Sequence, residues 1–218
     1  MMHLVPRRGA CTRSACRARP HSVYFLLYLL LFLTAVGCTA ATRSRPMFAT
    51  NSASLSVGET FEFDPSISEA SRGMAVALDA GKPATVVCFL ANDCDATSRT
   101  MKRIAEFHRR QRDMAFHAVL VADEGELESF VRLHDVQYSI ASDAEHTLVR
   151  LLGADRTPMF FVFDQHRKLV YRGPFDDSAL VPAQVTERWV ESAVNAARRH
   201  SAPPASRAAV GRPILGSS

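Results

Sequence analysis

The chain has 218 residues, 47% hydrophobic and 22% charged, which fits one globular domain with appendages. Its net charge of +4 does not make it a nucleic-acid binder, because seven of the 26 basic residues lie in the first 50 positions, where there is no acid. The remaining 19 basic residues face 22 acidic ones, so the part that folds is mildly acidic and offers no footprint for phosphate backbones.

The opening "MMHLVPRRGACTRSACRARPH" is a basic leader, followed by the apolar run "VYFLLYLLLFLTAVG" and small residues around Cys38. That order predicts a signal peptide or lipoprotein anchor over 1–42. Gly37–Cys38 is similar to a bacterial lipoprotein cleavage site, which makes Cys38 the lipidation site, although Ala35 departs from the usual Leu. An uncleaved anchor over 23–41 and ordinary secretion are the alternatives. All three place the remainder outside the cytoplasm, in the bacterial cell envelope or periplasm, with the arginines inside. Arg7–Arg8 lacks the apolar surroundings of a twin-arginine signal. Cys11 and Cys16 fall in the leader, so only Cys88 and Cys94 belong to the domain. Residues 43–56 are small and polar and form a flexible tether.

From Val57 the alternation in "VGETFEFDPSI" predicts an early strand or extended lead-in. A turn at 81–83 precedes a buried strand over 85–91. Residues 97–112 carry Met101, Ile104, Ala105 and Phe107 among charges, which predicts an amphipathic helix. "MAFHAVLVA" is a second buried strand, "EGELESFVRLHD" a helix, "VQYSIAS" an extended piece and "DAEHTLVRLLG" a helix stopped by Gly153. "MFFVFDQHRKLVYRG" forms a hairpin around the turn at 164–168. A last helix is expected over 182–199, with Val185, Trp189, Val190 and Val194 on one face. Residues 201–218 have the composition of a disordered tail. The element order gives an α/β fold, a central mixed β-sheet flanked by helices, whose first strand-to-helix junction is the place for a site.

At that junction stands "ATVVCFLANDCDATSRTM", and further on "RTPMFFVFDQHRKLVYRGPFDD". In this order the chain resembles the thioredoxin superfamily, more closely its redoxin or thiol-specific-antioxidant extracytoplasmic branch, over roughly 57–178. The resemblance implies a thioredoxin-like domain over 57–200. It implies a cysteine at a helix start (Cys94), a cis Thr157–Pro158 bond before the next strand, and the hairpin Asp164 through Gly173. It also places the Thr157–Pro158 turn, and Arg156 before it, against Cys94. The pattern departs from Trp-Cys-x-x-Cys: Asp93 stands for the Trp and Thr97 for the second cysteine. It departs from the peroxiredoxin pattern at Ala91. A single-cysteine redoxin is the nearest match.

Only a thiolate attacks, so competence depends on the pKa of Cys94. Helix amides and Arg156 favour the thiolate, while Asp93 and Asp95 oppose it. Cys88 shares a face with Val86 and Leu90 and is expected in the core, which leaves resolution to an external thiol. Thr97 is expected as helix N-cap, with Asp95 as the alternative. His117 interrupts an apolar strand and is expected half-buried with its nitrogens satisfied. No His or Cys pair has ligand spacing, so neither a metal nor another cofactor is expected.

Two functions compete. One is a membrane-tethered extracytoplasmic thiol redox protein in which Cys94, with Arg156, Thr157 and Pro158, reduces a peroxide or a partner's disulfide. The other is a non-catalytic thioredoxin-fold binding module that holds a partner chain in the same groove.

Overall fold

The computed structural model describes residues 55–62, 66 and 68–214, so the leader, Cys38 and most of the tether lie outside the described residues. Among the described residues no helix is long and apolar enough to cross a membrane.

An apolar, β-branched run makes β1 (Ala84–Leu90) buried along its whole length. It is the central strand of a five-stranded sheet that also holds β2 (Ala115–Leu120), β3 (Ser139–Ser142), β5 (Met159–Asp164) and β6 (Leu169–Gly173). The strand order is β3-β2-β1-β5-β6. β1 runs parallel to β2, with Cys88 opposite Ala118, and antiparallel to β5, with Cys88 opposite Phe160. β2 and β3 pair in parallel and β5 and β6 antiparallel, so the sheet is mixed, as expected.

Strand alternation sorts β1 into two layers. Val86, Cys88 and Leu90 pack against Met101, Ile104 and Phe107 of α2 (Asp95–Arg110) and Val190 and Val194 of α5 (Trp189–Arg199). Val87 and Phe89 pack on the other face against α1 (Glu69–Leu78) and α4 (Thr147–Leu152). α3 (Glu124–His134) follows β2 and buries only Phe130 fully.

Several expectations shift. α1 was not expected. Ser68 caps it by accepting from the Ser71 amide, and its buried stripe is Ala70, Met74, Ala77 and Leu78. The helix expected over 143–153 shortens to α4 because the buried Asp143 carboxylate accepts from the amides of Thr147, Leu148 and Val149. The helix expected over 182–199 divides into a 3-10 turn, Pro182–Gln184, and α5. Between them Asp177 accepts from the Thr186 amide, and its own amide donates to the Glu187 carbonyl, which holds the chain out of helix. Of the two alternatives for 57–61, the extended lead-in is the one present, with one bridge, Thr60 with Lys168.

The expected disordered tail is the largest correction. Residues 201–214 are placed on the domain, and Ala209 and Ile214 are buried in the second core layer. Ser206 Oγ accepts from the Arg172 amide and the Arg207 amide donates to the Arg172 carbonyl, so the segment covers the outer edge of β6. The Arg207 guanidinium stacks 4.7 Å from the Trp189 ring centroid. The segment then ends as β7 (Arg212–Pro213), paired antiparallel with β4 (Arg156–Thr157). Those partners lie more than fifty residues away in sequence, so local composition carries no trace of them.

Candidate functional site

The chain leaves β1 at Leu90, passes through Asn92 and Asp93, and enters α2 with Cys94 as the N-cap residue, φ −121° and ψ 110°. The Cys94 carbonyl accepts from the Ser98 amide at 3.0 Å. Thr97 is therefore not the cap, and neither is Asp95. Both are inside the first turn, because the extended backbone needed at a cap falls on Cys94. The sulfur lies at the end of α2 where amides without helical partners gather.

The thiol is 3% exposed. Its S–H donates to the Thr157 carbonyl at 2.8 Å. The Thr157–Pro158 bond is cis, and Thr157 is buried against the sulfur. Of the residues expected around Cys94, Thr157 meets it directly, and Pro158 follows Thr157 through that bond. Arg156 does not. Strand alternation turns its side chain to the other face of β4, where Nη1 donates to the Gly211 carbonyl at 3.4 Å.

Burial opposes ionisation of Cys94. The amides of Arg212 and Thr97 and the side chains of Thr97 and Thr157 outweigh it, and the thiol lies below its ordinary value. The expected opposition from Asp93 is offset, because Asp93 forms an ion pair with Arg212. Arg212 thus serves the site twice, through its amide beside the sulfur and its guanidinium on Asp93. Sequence reasoning missed it, since it lies in the segment read as disordered. The available signal was "GRPI", a glycine followed by an extended Pro-containing stretch ending in an apolar residue.

Cys88 is fully buried and free, and burial pushes its thiol far up. It packs as a small hydrophobe in the layer under α2 and α5.

Thr97 Oγ1 is buried without a hydrogen-bond partner while Cys94 is a neutral thiol. A hydroxyl facing a sulfur is satisfied once the sulfur is charged, and a hydrogen bond to a charged group is worth about 1.5–3 kcal/mol. Thr97→Val keeps the shape and removes that donor. The midpoint of Cys94 alkylation is expected to rise by about 1–2 pH units. An unchanged midpoint would show that the hydroxyl does not serve the thiolate.

The redoxin family model matches residues 57–183. Among solved structures, an uncharacterized conserved protein from Geobacillus kaustophilus is similar at 21% identity and a TM-score of 0.55, over 61% of this chain and 77% of its own. A hypothetical protein from Sinorhizobium meliloti 1021 is similar at 24% identity and a TM-score of 0.55, over 65% of this chain and 82% of its own. These likenesses concern the fold, which is thioredoxin-like. No curated protein matches the sequence.

Proposed function

The chain belongs to the redoxin family, and from that premise we propose that Cys94 is the working thiol of a single-cysteine redox protein tethered in the cell envelope. The observation that carries this reading is the sulfur's setting. It belongs to the N-cap residue of a helix, touches the cis-proline turn, and is held below its ordinary pKa by amides and hydroxyls. A thiol shifted toward its thiolate at a helix start is suited to act as a nucleophile.

The chemistry is two-electron. The Cys94 thiolate attacks one oxygen of a peroxide, the O–O bond breaks, and an alkoxide or hydroxide leaves and takes up a proton. The sulfur becomes a sulfenic acid. An external thiol then displaces the hydroxyl as water and forms a mixed disulfide. A second external thiol attacks the partner's sulfur and returns Cys94 as thiolate. A disulfide substrate enters the same cycle at the mixed disulfide, releasing one thiol. Cys88 is not expected to resolve either intermediate, since it lies in the core. The N-terminal segment, with Cys38 as lipidation site, supplies the membrane tether in this reading, and the partners are thiol or disulfide proteins or peroxide.

The burial of Cys94 and the pairing of β4 with another segment favour a second reading, the binding module. A sulfenic-acid probe separates the two. After peroxide, the probe is expected on Cys94 and not on Cys88, and thiol-dependent peroxide or disulfide turnover is expected to fall to background in Cys94→Ser. No label at Cys94, with turnover unchanged in the serine variant, would leave only the module.

A further inference from the structure

We propose that residues Gly211–Ile214 are a built-in occupant of the partner groove, a strap that shields Cys94 until an extended partner segment of like chemistry displaces it. The location of that groove beside Cys94 rests on the reading above, but the shielding does not.

Strand β7 lies antiparallel on β4, with Thr157 opposite Arg212 and Arg156 opposite Pro213. The Ile214 amide donates to the Asp155 carbonyl at 2.9 Å. The strap therefore adds a strand to the backbone that precedes the cis-proline, which is how an extended peptide docks on an unpaired edge. Thr157 holds both parties: its carbonyl accepts from the Cys94 thiol, and its strand carries the strap.

Three features make the fit specific. Gly211 has φ +148°, and a Cβ there would stand 2.0 Å from the Thr157 carbonyl oxygen and 3.3 Å from Ala96 Cβ. Only glycine passes over the start of α2 so closely. The next residue, Arg212, pairs with Asp93, one residue from the sulfur. This pair is half-exposed, so it selects a partner more than it tightens binding, and salt weakens it. Ile214 is buried at the far end. A cleft of about 200 Å³ adjoins the strap, lined by Asp93, Glu126, His146 and Thr157 together with Arg212, Pro213 and Ile214. The displacing segment accordingly carries a glycine followed by a basic residue and then an apolar one.

Alkylation of Cys94 tests this without any redox turnover. The rate is taken on its alkaline plateau, so that access is separated from ionisation, and the buried Cys88 reports unfolding in the same sample. Removing residues 206–218 from the full chain, or substituting Gly211→Val within it, is expected to speed Cys94 labelling by about tenfold or more, with Cys88 still unlabelled. A synthetic peptide of residues 206–214 is expected to restore protection to the shortened chain. The same peptide with Glu in place of Arg212 is expected to restore less. Should the shortened chain also label at Cys88, it has unfolded, and Gly211→Val alone decides. Labelling of Cys94 at the rate of a free thiol in the intact chain, or a rate unmoved by Gly211→Val, overturns the strap. Failure of the sulfenic-acid experiment leaves this result readable, and repeating that experiment on the shortened chain separates a shielded thiol from an inert one.

Discussion

Asp176→Ala is expected to destabilise the domain by about 3–5 kcal/mol, the usual cost of removing one member of a buried ion pair. Asp176 is 3% exposed and follows the β5–β6 hairpin. Its carboxylate accepts from Arg103 Nε at 2.8 Å and Nη2 at 3.2 Å, a two-pronged geometry, and from the Ser178 amide at 3.2 Å. Arg103, on α2, is largely buried and also donates to the carbonyls of Arg99 and Ser178. Truncating Asp176 leaves that guanidinium in a poorly solvated place with part of its fork unpaired. The loss should appear in urea unfolding as a lower midpoint with an unchanged slope, and in heating as a drop of about 10 °C or more. Asp176→Asn keeps the shape and one acceptor and should cost less, about 1–3 kcal/mol. If both variants unfold like the parent, the pair is a solvated contact. The clamp bears on function because α2 is the helix that Cys94 caps. Arg103 lies nine residues along it, about 13 Å along the helix axis from the Cys94 backbone, so the pair fixes the helix body while the β1–α2 loop and the strap fix its start.

The layered core was legible because its signals are local. Apolar runs, β-branched in β1 and aromatic in β5, announced β1, β2 and β5, and the spacing of Met101, Ile104 and Phe107 announced α2. Cys88 fell in the core, as alternation along β1 required. The cysteine, Thr157 and Pro158 converged through the fold the motifs implied. What was not legible depends on distant partners. Helix α1 carries Ser71, Arg72 and Gly73 in its first turns, which blur its apolar stripe. Gly73 has a reason the local pattern cannot supply: a Cβ there would lie 2.3 Å from the His117 ring. The strap is the extreme case. Residues 201–214, which end in it, are mostly alanine, proline, serine and arginine, and before the closing "GRPI" nothing in that composition distinguishes a solvated tail from one that pairs with β4 and buries Ile214. Arg156 was misplaced for a related reason. Proximity to the cysteine follows from its place in the chain, but the direction of its side chain follows from β4 being extended, and that points it at the strap.

The same His117 makes the domain sensitive to acid. It is 1% exposed on β2, with Nδ1 2.9 Å from Ser139 Oγ on β3 and Nε2 3.2 Å from the Ala70 carbonyl on α1. One nitrogen donates to the carbonyl and the other accepts from the serine, so the neutral ring satisfies both partners. Burial lowers its pKa from 6.5 to about 4, against a smaller opposing effect of the Ala70 carbonyl. Here the folded value is the depressed one, so the unfolded chain binds the proton more tightly. Stability is whole above about pH 6.5 and is lost as the pH falls toward about 4. The gap corresponds to about 3 kcal/mol, spent over that window. Carboxylates also contribute to acid unfolding, so the measurement is a difference. Urea unfolding of the parent and of His117→Leu is compared near neutral pH and near pH 4.5. The variant is expected to be weaker at neutral pH, because Ser139 and Ala70 lose their partner, yet to decline less on acidification. Parallel declines would assign the acid sensitivity elsewhere. The ring joins α1 to β2 and β3, on the layer opposite α2, so its protonation is expected to loosen that layer first, with Cys94 labelling rising only as the whole domain opens.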